Sequence, residues 1–226
     1  MASTRFKVRN IALKYLGAKQ GSDKHHQLVD TFNRIAPHDE RGDYKCAWCA
    51  ISWTAWQIMA GNTQKTVPMS YNVGTLVADA KKLGIWEESD DWFPEPGESA
   101  VGVGIVYDWS DNGRGENKDG CDHIGLIYKF NKDYFWVIEG NYSTAQKVWT
   151  RKVPRNSRYI RGFIVPEYQK KPTYKARYAA VEWAKKQVGK PYKFYSEDHA
   201  CAVCHGGKEG YNCIGLVAAA YAHGAG

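Results

Sequence analysis

The stretch Cys46-Ala47-Trp48-Cys49-Ala50-Ile51-Ser52-Trp53-Thr54-Ala55-Trp56 carries more structural and chemical information than any other in the chain. It follows a run of turn formers and charges, Pro37-His38-Asp39-Glu40-Arg41-Gly42-Asp43, and opens an apolar segment that reads as a helix closing near Gly61-Asn62. A cysteine in the first turn of a helix sits among unpaired N–H groups at the positive dipole end, a setting that favours thiolate over thiol. Thiolate is the attacking species, so the placement is chemically loaded. The plainer reading of Cys46 and Cys49 is two small buried hydrophobes. Against it stand Asp122-His123 ahead of one apolar run and Glu139-Gly140-Asn141 at the end of another.

Outward from this helix, Val8, Ile11, Ala12, Tyr15 and Leu16 recur at helical spacing, with Gly17 placed to end that element. Leu28, Val29, Phe32 and Ile35 mark a second helix that stops at Pro37. A fourth is expected over 71–83, capped by Ser70 and followed by Gly84. Beyond the turn Pro94-Glu95-Pro96-Gly97 the texture changes to short apolar or alternating runs at 103–109, 123–130, 134–138, 147–153 and 159–165. Phe130-Asn131-Lys132-Asp133-Tyr134 reads as a hairpin turn, and 110–120 as a polar, Gly-rich loop. Helices followed by a meander of strands predict an α+β fold.

The chain has 226 residues with 43% hydrophobic content, enough for one large or two small cores. The stretch 166–173 is charged, bracketed by prolines and without aliphatic residues. It divides the chain into a first domain, 1–166, a linker, 167–173, and a segment, 174–226, with no strands of its own. In that segment Tyr178, Val181, Ala184 and Val188 predict a helical face ended by Gly189, and 213–222 a second, apolar helix.

A net charge of +7 favours an anionic partner. The lysines and arginines are dispersed and no nucleic-acid-binding signature is present, so an anionic wall polymer fits better than DNA or RNA. No apolar run approaches the roughly 20 residues of a membrane span. Residues 1–10 lack the apolar core of a secretory leader, so the expectation is a chain made in the cytoplasm. Six cysteines are too sparse for a disulfide scaffold, and reduced thiols are expected.

Amide cleavage calls for a nucleophile, a base, a group that orients the base, and donors for the oxyanion. Cys49 is the candidate nucleophile and His123 the base, with Glu139 or Asn141 holding the imidazole in its useful tautomer. A hairpin sets the start of one strand beside the end of the next, which predicts His123 and Glu139 as neighbours. Cys46-x-x-Cys49 also suits a redox dithiol or half of a zinc site completed by Cys121 and His123. The βαβ context of a thioredoxin-like site is absent. His25-His26, near a helix start, reads as solvated.

Residues 5–168 resemble a CHAP domain (cysteine, histidine-dependent amidohydrolase/peptidase) of the type found in phage endolysins and bacterial wall hydrolases. The resemblance rests on Trp48-Cys49-Ala50, Pro96-Gly97, Tyr107-Asp108-Trp109, Asp122-His123-Ile124-Gly125, Val137-Ile138-Glu139-Gly140-Asn141 and Tyr159-Ile160-Arg161-Gly162-Phe163. It implies a papain-like fold, a helical N-terminal half on a small antiparallel sheet, and hydrolysis of a peptidoglycan amide. The bond would be a muramoyl-alanine amide or one in the stem or cross-bridge. It selects Cys49 over Cys46, and it implies a substrate groove with aromatics such as Trp48 and Trp109. No cofactor is required by it. Some members bind calcium just before the nucleophile, where Asp39 and Asp43 lie, but two side chains fall short of the six to eight oxygens such a site uses. Like a phage lysin, such a protein would act on the wall after release. The alternatives are a non-catalytic wall-binding protein on the same fold and a zinc-stabilised regulatory protein.

The second segment resembles the front half of an NlpC-like cysteine peptidase, through Gln187-Val188-Gly189-Lys190-Pro191-Tyr192 and Tyr211-Asn212-Cys213-Ile214-Gly215-Leu216-Val217. Cys213 falls on that family's nucleophile. Ile214 replaces the usual Ser and the His-bearing strands do not follow, so an inert, truncated or vestigial papain-like segment is expected. Cys201-Ala202-Val203-Cys204-His205 matches a haem-attachment pattern without the exported setting such attachment needs. Cys201, Cys204 and His205 instead offer three zinc ligands.

Overall fold

The structure, a computed structural model, describes residues 5–89, 99–110, 120–168, 174–190, 216–217 and 219–220. The chain divides into two compact units, Met1–Gln169 and Lys170–Gly226. Among the described residues the first unit is α+β. Four helices, α1 (Arg5–Lys14), α2 (Asp23–Ile35), α3 (Cys49–Ala60) and α4 (Val73–Lys82), precede an antiparallel sheet. Its strands are β1 (Trp86–Glu88), β2 (Gly104–Tyr107), β3 (His123–Phe130), β4 (Tyr134–Tyr142), β5 (Lys147–Pro154) and β6 (Ile160–Ile164), ordered β1-β6-β2-β3-β4-β5.

Helix α3 is the hub. It is apolar all round and buried along nearly its whole length, as expected of a central helix rather than an amphipathic surface one. Its hydroxyl and amide side chains are each satisfied. Ser52 donates to the Trp48 carbonyl at 2.8 Å, Thr54 to the Ser70 carbonyl at 2.9 Å, and Gln57 to the Tyr168 hydroxyl at 3.2 Å. Tyr168 lies inside the stretch expected to be a linker, yet it is buried and its hydroxyl donates to the Gly102 carbonyl at 2.6 Å. Gly61, at φ 91°, ends α3 in the left-handed region.

The sheet packs a buried apolar cluster on each face. Val106, Ile124, Leu126, Ile138, Val148 and Ile164 pack with Val8, Leu28, Phe32, Trp53, Trp56 and Leu76 of the helices. Ile105, Tyr107, Ile127, Phe135, Val137 and Phe163 form a second cluster. The β3–β4 hairpin turns where expected, with the Asn131 side chain accepting from the N–H groups of Asp133 and Tyr134 at 2.9 and 2.8 Å.

Two local expectations are corrected, and one short strand is additional to those expected. The cap of α4 is Asn72, which accepts from the Thr75 N–H at 3.0 Å, because the helix starts at Val73 and the Ser70 hydroxyl oxygen accepts from the Asn72 N–H at 2.9 Å instead. His25 is fully buried, its ring set edge-on to Trp48 at 4.7 Å between centroids. Strand β1 has only three residues, too few to show an alternation.

In the second unit α5 spans Tyr174–Lys185, and buried Ala219 packs with Trp183 and Leu216. Val181 is half exposed and Val188 lies past the helix end in solvent, so these two of the expected apolar positions are not buried. Cys201, Cys204, His205 and Cys213 lie outside the described residues.

At Gly140 strand β4 passes so close to α3 that a Cβ would overlap the Ser52 side chain and sit 3.2 Å from the Trp48 ring. Gly140→Ala is expected to lower stability by about 1–3 kcal/mol through overpacking. The check is a urea midpoint, and an unchanged value would show that α3 does not depend on this approach.

Candidate active site

The chemistry gathers where the N-terminus of α3 meets the sheet. Cys49 is the first residue of α3, and the residue before it, Trp48, makes no side-chain hydrogen bond to the helix. Ser, Thr, Asp or Asn would normally cap there. The N–H groups of the first turn therefore keep their donor capacity and partial positive charge beside the sulfur. The approach to the helix is shaped by Asp43, whose Oδ1 accepts from the N–H groups of Lys45 and Cys46, each at 2.7 Å. Those bonds hold its carboxyl below the usual range. The Cys46 thiol turns away to donate to the Asp43 carbonyl at 3.1 Å.

His123 opens β3, close enough to Cys49 for the sulfur to raise the affinity of its ring for a proton. Its Nε2 lies 3.1 Å from Glu139 Oε2. Glu139, with no exposed surface, is held from three sides. Besides His123, the Tyr107 hydroxyl donates to Oε1 at 3.1 Å. The Arg151 guanidinium donates from Nε to Oε1 at 2.9 Å and from Nη2 to Oε2 at 3.1 Å. Burial pushes the Glu139 carboxyl up, but its bonds and charge pairing with His123 and Arg151 outweigh this and hold it down. Burial pulls His123 down, while the hydrogen bonds and charges of Cys49 and Glu139 raise it to about 9. At neutral pH the ring is therefore protonated and donates to Glu139.

Gly125 makes room for this arrangement. A Cβ there would overlap Val137 and come within 2.7 Å of Glu139 Cγ. An aromatic wall stands beside the pair. Trp109 stacks on Tyr107 at 4.5 Å between centroids, lies 6.2 Å from the His123 ring, and keeps 40% of its surface exposed. The Arg151 guanidinium sits 5.0 Å from the Trp109 ring and 4.7 Å from that of Tyr142. Cys49 is 6% and His123 8% exposed, so the pair is nearly enclosed.

Cys49, His123 and Glu139 are thus brought together, and Trp109 stands beside them. Asn141 is not the orienting group, because the His123 Nε2 contact is made by Glu139, while Asn141 sits at φ 53° where the β4–β5 register shifts. Trp48 does not line a groove. It is wholly buried in the helical core, with its indole N–H unpartnered. Among the described residues no three His, Cys, Asp or Glu side chains gather as a metal site. Asp43 is committed to its own turn, and Cys46 and Cys49 face different partners. Sequence reasoning missed Tyr107 and Arg151. The signal available was an arginine inside an otherwise ordinary strand, near a glutamate on the preceding one.

No family model matches the chain, and no curated protein matches it. A solved structure described as "The crystal structure of Ly7917" aligns at a TM-score of 0.37 with 13% identity, over 73% of this chain and 63% of that one.

Because the folded-state pKa of His123, about 9, lies above its ordinary 6.5, its stabilisation is complete below about pH 6.5 and is lost as pH rises through about 9. The stability gap between the wild type and His123→Gln should therefore narrow over that window in urea titrations. A constant gap would refute the pairing. Arg151→Met should destabilise at the low end of about 3–5 kcal/mol, since it strips a partner from a buried carboxylate while Arg151 keeps 30% of its side chain in solvent. Arg151→Lys should recover part of that loss.

Proposed function

We propose that the first unit is a cysteine amidohydrolase or peptidase of the CHAP type, with a papain-like arrangement, acting on an amide bond of bacterial peptidoglycan. One observation carries the reading: a cysteine at an uncapped helix N-terminus lies beside an imidazole whose Nε2 is held by a buried, ionised carboxylate. Structural cysteines have no need of that set. The wall as substrate comes from the sequence resemblance, and the charge of +7 suits an anionic target.

In this reading the Cys49 thiolate attacks the amide carbon, and first-turn N–H groups of α3 receive the oxyanion. His123 gives its proton to the departing amine as the C–N bond breaks, leaving a thioester on Cys49. His123, now neutral, takes a proton from water, whose oxygen attacks the thioester and releases the acid and the thiolate. Glu139 keeps the ring aligned throughout. Trp109 offers a flat apolar face beside the reacting atoms. The protein would reach the wall after release from the cell that makes it, as a lysin does.

Purified sacculi should lose turbidity with the wild-type protein and not with Cys49→Ala, while Cys46→Ala keeps most of the activity. Equal loss in both variants would point to a dithiol or metal site instead. Mass spectrometry of the released fragments assigns the bond. A new N-terminal alanine with a free lactyl group means an amidase, and cleavage within the stem or cross-bridge means an endopeptidase.

A further inference from the structure

A second cluster of charge and aromatic surface occupies the other face of β4 and β5, and the catalytic geometry makes no use of it. Lys129 on β3 pairs across strands with Trp136 on β4, and Trp136 pairs with Lys152 on β5. Paired positions share a face, so the three form one row across neighbouring strands. The Lys129 ammonium lies 4.6 Å and that of Lys152 5.7 Å from the Trp136 ring, and Lys152 is also 3.8 Å from the ring of Tyr134. Glu139 and Arg151 alternate with Trp136 and Lys152 along these strands and point to the opposite face.

Both lysines are exposed, and among the described residues neither pairs with a carboxylate. Asp133, in the adjoining turn, acts electrostatically on Arg155. With strands about 4.8 Å apart, the two lysine backbones stand roughly 10 Å from each other across the tryptophan. Like charges so placed repel, and the row gives them aromatic faces but no counter-charge.

We infer that this Lys129–Trp136–Lys152 row is a docking surface for a polyanion, and that its occupant is the phosphodiester-linked polymer of the bacterial wall. The polyanion follows from charge complementarity. The choice of wall polymer rests on the function proposed above. Single-stranded nucleic acid fits less well, because base stacking needs open ring faces and the ammonium groups already lie against Trp136 and Tyr134. The row leaves its positive charges for the ligand, with the rings holding those charges in place. A chain bound here would be retained at the wall while the other end of the same strands, beside the start of α3, works on its amides.

The test uses the full chain carrying Cys49→Ala, so that walls are bound and not digested, and measures co-sedimentation with purified walls at several salt concentrations. The walls are used intact or after hydrofluoric acid has removed phosphodiester-linked polymer. Lys129→Gln with Lys152→Gln should weaken binding to intact walls on the order of tenfold or more, at about fivefold for each lysine beside an anionic surface. The salt dependence should flatten as well. Extracted walls should bind the parent and the double variant equally weakly, and Lys129→Arg with Lys152→Arg should bind intact walls as the parent does. Undiminished binding by the Gln variant, or undiminished binding of the parent to extracted walls, overturns the inference. So does a variant that loses affinity only for a single-stranded oligonucleotide. Hydrolysis of soluble wall fragments by protein with Cys49 intact is measured in parallel and should be unchanged by the two Gln substitutions. Failure of any fragment to be cut would sink the proposed activity without touching the binding result.

Discussion

The buried carboxylate of Glu139 is the constraint to which the rest of the site answers. A lone charge without solvent would be untenable, and its desolvation runs to several kcal/mol even after relaxation. Here the acceptor positions are taken up by the His123 ring, the Tyr107 hydroxyl and the Arg151 guanidinium. Each donor comes from a different strand, β3, β2 and β5, so the carboxylate ties together four neighbouring strands at one end of the sheet. The geometry depends on strand register. Arg151 is paired with Val137, two residues before Glu139, which puts the guanidinium diagonally across from the carboxylate within reach of a long side chain. Gly125 on β3 keeps the space between them open.

That register explains which parts were legible in the sequence. Strand β3 was readable from end to end because its apolar run is continuous and bounded by polar residues, and His123 is therefore found at its start. Cys49 was readable because the turn formers before it and the apolar run after it fix a helix start. The His123–Glu139 contact followed from the hairpin alone. Arg151 and Tyr107 belong to strands that reach Glu139 only once the sheet order is known, and no local pattern encodes that order. Trp48 and His25 failed for another reason. Tryptophan and histidine carry polar atoms that suggest a wet surface, but here their rings meet in the helical core, where shape decides. Ser70 and Asn72 were equivalent as caps by residue type. The difference is where the helix starts: Asn72 directly precedes Val73, and the Ser70 oxygen accepts from the Asn72 N–H instead.

The close approach at Gly140 connects this sheet end to the nucleophile. With no side chain there, β4 lies against Ser52 and Trp48, in the first turn of α3 and just before it. The helix is thereby seated with its uncapped end beside the first residue of β3. Packing in the apolar core and placement of the reactive sulfur are in this way the same event. A helix free to slide along the sheet would lose the His123 contact before it lost much buried area, because that contact is directional and dispersion contacts are not.

Arg151 also bears on what the imidazole can do. A histidine facing a buried, unshared carboxylate would hold its proton tightly, and a proton held too tightly serves poorly as a general acid. The guanidinium takes a share of the Glu139 charge through its own bonds. Burial of His123 acts in the same direction, since it disfavours the charged ring. Glu139 can then fix the ring by a hydrogen bond while part of its field is cancelled from behind. Alignment and proton affinity, which a simple His–Glu pair would raise together, are set separately when an arginine stands on the far side of the acid.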